Sequence, residues 1–312
     1  MSQSFLLAPL QGFTDFVFRK CYHQTFGNIA EYYIPYLTVG PGNKIRNSQY
    51  RDILPENNAG VPVVPQVLCG SPAELRQLAD ILKNFGYKKI NLNLGCPYPM
   101  ATNRGKGTGL LERKDELRQV LDVLFEEYDF SVSVKFRSGL ASEQTIFERI
   151  ELLTAYPFEK LIFHPRTARQ LYKGKANRNL FADLSAIIQR PLVYNGDIQT
   201  ADDLEEIRLL APQQQVWMIG RGVLTDPFLV DKLLGKNPDP QKQAEIKEAF
   251  HRQILENYLR AFTNEGQALM KMKQFWSYFS ESFPNPHKTW KPIKKASKLS
   301  SFLTVYPANF RN

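Results

Sequence analysis

The sequence predicts a (β/α)8 TIM barrel followed by a small C-terminal helical domain. Eight short apolar runs recur along the chain, at residues 5–10, 29–33, 62–68, 89–94, 131–136, 161–164, 191–195 and 216–219. Charged segments with helical periodicity fill the intervals, and past Leu234 no further strand-like run occurs. Strands alternating with helices imply a parallel sheet, and eight such units imply closure into a barrel. An open doubly wound sheet shares that alternation. However, Gly105, Gly107 and Gly109 follow neither a dinucleotide-binding spacing nor a P-loop.

The clearest helical segments between strands are 73–85, 115–127, 143–154 and 201–210, the last opened by Thr200 as an N-cap. Residues 235–241 contain two prolines and read as a linker, after which 245–262 and 267–283 read as helices. A division follows, with a catalytic barrel at 1–235 and a helical domain at 236–312.

With 312 residues, 43% of them hydrophobic, the chain can bury a large core, so a disordered reading is excluded. It has no apolar run of about 18 residues to span a membrane, and residues 1–9 lack the features of a signal peptide. A cytoplasmic monomer is expected. Cys21, Cys69 and Cys96 are odd in number and lack metal-ligand spacing, so free thiols are expected, without a disulfide framework or a metal site. The net charge of +9 is unevenly placed: from Lys236 onward, 13 Lys and Arg stand against 6 Asp and Glu. The basic excess therefore lies in the helical tail, which suits a polyanionic partner.

Barrel strands are buried on both faces, and barrel active sites form at their C-terminal ends. Gln66, Asn93, Lys135, His164 and Asn195 end five different apolar runs, which favours one polar site at that rim. Alternation in the fifth run puts Val132, Val134 and Phe136 on one face and Ser131, Ser133, Lys135 and Arg137 on the other, so Lys135 points inward. A buried ammonium demands an internal carboxylate, a phosphate, or a cofactor that becomes negative during turnover. Asn195-Gly196-Asp197-Ile198 and Gly220-Arg221-Gly222 follow the last two runs. Barrels commonly build phosphate sites there, with glycine backbone and a forked cation.

Cys96 directly follows the fourth run, in Asn91-Leu92-Asn93-Leu94-Gly95-Cys96-Pro97, so it faces the rim, whereas Cys21 sits inside a helical segment and reads as packing. Together with Gly107-Thr108-Gly109-Leu110-Leu111, this loop resembles the catalytic-cysteine region of the tRNA-dihydrouridine synthases, the bacterial type of which are FMN enzymes. Ala8-Pro9-Leu10-Gln11-Gly12-Phe13-Thr14-Asp15, Val134-Lys135-Phe136-Arg137-Ser138-Gly139 and His164-Pro165-Arg166-Thr167 extend the resemblance, in the same order, over nearly the whole chain. Leu10, Gln11 and Pro165 stand where that family usually carries other residues.

The resemblance implies reduction of a tRNA uridine to 5,6-dihydrouridine, with FMN as cofactor and NADPH or NADH as reductant. Cys96 would be the catalytic acid, supplying a proton to C5 while hydride reaches C6. FMN would be held by Pro9, Leu10, Gln11, Gln66, Lys135 and His164, and by Asn195, Gly196, Asp197, Gly220 and Arg221 at its phosphate end. Asn93 would lie next to the target base, Arg137 at the substrate, and Arg166 and Thr167 near the RNA or the flavin edge. Lys271, Lys273 and Gln274, on one tail helix, would bind tRNA, with Lys288, Lys291, Lys294, Lys295 and Lys298 beyond them. Two other readings compete: an FMN barrel acting on a small molecule, similar to dihydroorotate dehydrogenase, and a non-catalytic RNA-binding barrel. The first leaves the basic tail unused, and the second leaves Lys135 and Cys96 unused.

Overall fold

The computed structural model describes residues 3–236 and 238–310; Asn237 of the expected linker and Arg311 of the basic tail lie outside the described residues. Eight parallel strands form a closed barrel in chain order: β1 (Ser4–Leu7), β2 (Glu31–Leu37), β3 (Val63–Val67), β4 (Lys89–Leu94), β5 (Ser131–Gly139), β6 (Lys160–Thr167), β7 (Leu192–Asn195) and β8 (Val216–Ile219). Closure is made by β1 on β8, with Ser4 opposite Val216 and Leu7 opposite Ile219. The open doubly wound alternative is thereby excluded.

Strand limits differ from expectation where local chemistry intervenes. β1 ends at Leu7 because Pro9 follows and the chain turns at once, the Leu10 amide donating to Thr14 Oγ1 at 2.9 Å. β2 continues to Leu37 through Pro35, which has no N–H to donate; its register against β3 shifts between Ile34 and Leu37. Among the helices, Ala201–Leu210 matches its expected limits and is fixed by a Thr200–Asp203 capping box. Pro240–Ala261 starts five residues early, since Asp239 caps Gln241 and Lys242 and Pro240 occupies the first turn.

The interior of the barrel separates into an apolar floor and a polar top. Leu6, Tyr33, Val64, Ile162, Val193 and Met218 pack together inside it. Below them Lys89 and Lys160 both bridge Glu31, closing the N-terminal end. Val132, Val134 and Phe136 face the outer helices, so Lys135 does lie on the inward face.

After β8 the described chain is helical, including Glu265–Phe279, Pro286–Lys295 and Leu299–Val305. This region shares one continuous core with the barrel's outer layer. Phe18 and Tyr22 of helix Phe16–Phe26 meet Phe250 edge-on at 6.0 and 6.1 Å, pairs worth about 0.5–1.5 kcal/mol each beyond area burial. Among the described residues, no helix is long and apolar enough to cross a membrane.

Deeper in the tail, the fully buried His251 ring lies within 4.3–6.0 Å of the rings of Trp276, Phe302, Tyr306 and Phe310. Neither ring nitrogen has a hydrogen-bond partner among the described residues. Burial pushes this imidazole from 6.5 down to about 3. The unfolded chain therefore takes up a proton that the folded one refuses, and this site loses stability as pH falls from about 6.5 toward 3. Urea unfolding of His251→Phe is expected to show a shallower loss of stability between pH 8 and 5 than the parent protein. Parallel pH profiles for the two proteins would show that His251 carries none of the acid sensitivity.

Candidate active site

At the C-terminal end of the strands, polar side chains on the inward faces meet in a cross-strand relay. Ser133 Oγ accepts from Asn91 Nδ2 at 2.8 Å, Asn91 Oδ1 accepts from Gln66 Nε2 at 2.6 Å, and Gln66 Oε1 accepts from Asn93 Nδ2 at 2.7 Å. Asn93 Oδ1 then accepts the backbone N–H groups of Gly95 and Cys96, at 3.0 and 2.8 Å. All four relay side chains are buried, and each carries its neighbour's hydrogen bond, so the relay fixes the turn that presents Cys96.

Behind that turn runs the glycine segment. Thr108 donates to the Cys96 carbonyl from both its amide and its hydroxyl, at 3.2 Å each. Gly107 adopts φ +59, and a Cβ there would lie 2.6 Å from Cys96 Cβ. Cys96 itself is 5% exposed and packs with Leu68, Ala101 and Tyr36. Burial raises its thiol above the ordinary value, outweighing Tyr98, Tyr36 and Arg137, so the group is held as SH at neutral pH.

A cleft opens in front of this thiol, lined by Pro9, Leu10 and Gln11, by Gln66, Asn93 and Cys96, and by Lys135, Arg137, His164 and Arg221. An adjoining part adds Asn195, Gly196, Asp197, Gly220 and Gly222. The two parts share Pro9, Leu10, Lys135, His164, Tyr172 and Arg221. All eleven residues expected at a cofactor thus line one continuous space, together with Cys96, Asn93 and Arg137.

Lys135 opens onto the middle of it. Among the described residues its ammonium has neither a hydrogen-bond nor an ion-pair partner, so no internal carboxylate among them neutralises it. Burial, reinforced by Arg137, lowers it to about 7. His164 is buried among the same cations and held neutral: burial first, then Arg137 and Lys135, push it well below 6.5. The site is therefore short of negative charge.

At the far end Asp197, at φ +43, turns its carboxylate inward. It receives both Arg166 nitrogens, at 2.9 and 2.5 Å, Arg221 Nη2 at 3.0 Å and the Ala176 amide at 2.9 Å. Asp197 therefore aims Arg221 rather than facing an anion itself. Arg166 is 1% exposed and tied to Asp197 and the Gly174 carbonyl, while the Thr167 amide donates to Gln170 and its carbonyl accepts from Arg137. Neither Arg166 nor Thr167 lines the cleft containing Cys96. Tyr172, which nothing in its local sequence singled out, lies under the guanidinium groups of both Arg221 and Arg137, at 4.4 and 5.4 Å.

The tail residues divide. Lys271 Nζ contacts Asp15 at 2.8 Å and donates to the Gly12 carbonyl at 2.9 Å; Lys273 Nζ donates to the Ala296 carbonyl at 3.0 Å; Gln274 packs against Gly12. Lys288, Lys291, Lys294, Lys295 and Lys298 are exposed and have no ion-pair partner among the described residues. Aromatic walls of the cleft supplied by Phe13, Tyr36, Tyr98 and Tyr278 were also unforeseen. Tyr98, two residues past Cys96, was the one a rim argument could have found.

A family model described as dihydrouridine synthase matches residues 6–305. A tRNA-dihydrouridine(16) synthase of Cupriavidus necator is 28% identical, over 75% of this chain and 74% of its own. The tRNA-dihydrouridine synthase B of Escherichia coli K12 is 26% identical, over 98% of this chain and 96% of its own. Among solved structures, morphinone reductase aligns with a TM-score of 0.55 at 11% identity, over 77% of this chain and 88% of that one, a likeness of fold alone.

The contact between Gly107 and Cys96 predicts a specific defect. Gly107→Ala adds a methyl where no space exists and forces a backbone conformation that costs about 1–3 kcal/mol. Cys96 should be displaced outward, and its alkylation by iodoacetamide, followed by peptide mass spectrometry, should be several-fold faster than in the parent. An unchanged alkylation rate would mean that the glycine does not hold the cysteine.

Proposed function

Because the chain belongs to the dihydrouridine synthase family, we propose that it reduces a uridine of tRNA to 5,6-dihydrouridine, using FMN bound in the barrel cleft. The observation that carries this reading is that one cleft is lined by both an unpartnered ammonium, Lys135, and a protonated thiol, Cys96. The first needs an anion, and the second can protonate a carbon.

The residues fit a flavin mononucleotide. Arg221, aimed by Asp197, stands beside the Gly196 and Gly220–Gly222 loops, a suitable receptor for a phosphate. A Cβ on Gly196 would sit 3.0 Å from Ala176, so backbone alone can approach there. Lys135 would oppose negative charge on the ring system, and Gln66 and His164 offer hydrogen bonds along the same wall. Bound and reduced by NADPH or NADH, this cofactor supplies hydride for C6 of the uracil.

This chain's residues then manage charge and protons. Hydride addition leaves negative charge over C5 and O4, and Cys96 Sγ gives its proton to C5. Desolvation keeps Sγ protonated until that moment. Asn93 has both oxygen lone pairs committed to the Cys96 turn and one amide hydrogen committed to Gln66, which leaves its other N–H for the uracil edge. Arg137 is held by the Thr167 and Leu171 carbonyls at the same wall. The target base must leave its stack to enter, and the exposed lysines of the tail, in the helical domain at 236–312, would grip the surrounding RNA.

Purified protein should carry a yellow flavin that NADPH bleaches and that unmodified tRNA reoxidises without oxygen. Cys96→Ala should retain the flavin and its reduction but slow reoxidation by tRNA by roughly 10²–10⁴-fold. As pH rises through the thiol's raised pKa, reoxidation by the parent protein should fall, because the thiolate has no proton to give. Reoxidation by a small unsaturated substrate but not by tRNA would favour a small-molecule reductase, and absence of flavin would reject a redox role.

A further inference from the structure

The loop from Pro9 to Asp15 has two sides. Pro9, Leu10 and Gln11 line the cleft. The other side is held by helix Glu265–Phe279, through residues spaced at three and four positions so that they share one helical face. Lys271 donates to the Gly12 carbonyl and pairs with Asp15. Gln274 sits so close that a Cβ on Gly12 would meet its Nε2 at 2.7 Å. Tyr278, the next along, meets Phe13 edge-on at 5.0 Å and forms part of the cleft wall.

Asp15 is the centre of this contact. It is 7% exposed, caps helix Phe16–Phe26 by accepting from the Phe18 amide, and accepts the Tyr258 hydroxyl at 3.0 Å on both oxygens. Helices Pro240–Ala261 and Glu265–Phe279 thus converge on one carboxylate of the β1 loop. A lysine poised for RNA would keep its ammonium in solvent, whereas Lys271 directs its ammonium to two barrel acceptors.

We propose that Asp15, Lys271 and Tyr258 form a latch that fixes the helical region on the β1 loop and so sets where Tyr278 bounds the cleft. Lys271 and Asp15 are positioning residues for uridine reduction, not RNA contacts. The functional part of this inference rests on the reading of the cleft given above. Its physical basis is that misplacing a site wall by about 1 Å can slow a reaction up to about 100-fold.

The test exploits charge. If Lys271 simply met a phosphate, Lys271→Met would weaken tRNA binding and lower the salt slope by about one, while Asp15→Asn would leave binding unchanged or improve it. A latch predicts that these opposite-charge residues give the same defect. Both variants should accelerate amide hydrogen exchange in 9–16 and 265–279, and both should slow single-turnover flavin oxidation by tRNA roughly tenfold. The double variant should be no worse than the worse single one, because the two share one interaction. Lys271→Arg, which keeps the charge, should recover to within about threefold of the parent.

Exchange unchanged in Lys271→Met, or a tRNA-affinity loss confined to Lys271→Met, would overturn the latch. Should Asp15→Asn fail to fold, exchange in Lys271→Met still decides. If the parent flavin is not oxidised by tRNA, the uridine reading fails, while the exchange measurement still decides whether the latch exists.

Discussion

An ammonium group placed inside a barrel without a counter-ion among the described residues is the constraint around which this molecule is organised. Lys135 reaches the interior because strand alternation leaves it no other face, and burial lowers it to about 7. Arg137 adds to the problem, and His164 responds by staying neutral. An apolar residue would pack there at lower cost, and an incoming negative group would hold Lys135 in its charged form. The polar relay of Ser133, Asn91, Gln66 and Asn93 beside it is joined by its own hydrogen bonds, which makes the cation stand out.

Opposite in character is the thiol. Cys96 is held by a relay that begins at Ser133 on β5 and passes through β4 and β3 before reaching the loop amides. The strands thereby transmit their own rigidity to a turn that would otherwise move. Burial then keeps the proton on sulfur. A cation without a partner among the described residues and an acid retaining its proton share one space, a division of labour that suits the proposed reduction of a conjugated ring.

Much of this was legible in sequence because barrel strands are short, apolar and bounded. Lys135 was found by alternation, and the Cys96 loop by its place after β4. What escaped was tertiary. β2 passes through Pro35 because the register shift against β3 accommodates it, which no local rule announces. Tyr172 and Tyr278 reach the cleft only once distant elements are packed. Lys271 and Lys273 look like free charge in a basic tail, but their acceptors, Gly12 with Asp15 and the Ala296 carbonyl, become neighbours only on folding. Arg166 similarly is drawn inward by Asp197.

The helical region thus does two things. Its inner face completes the site with Tyr278, and its outer lysines remain free for a polyanion. The proposed role of Cys96, beside Lys135, is to serve the reduction of a tRNA uridine. Mass-spectrometric mapping of dihydrouridine in RNA tests it most directly, using cells that lack the protein and the same cells carrying the parent chain or Cys96→Ala. At least one tRNA uridine should be left unreduced in the first, be reduced with the parent chain, and be reduced poorly with Cys96→Ala. An identical dihydrouridine map in all three would contradict it.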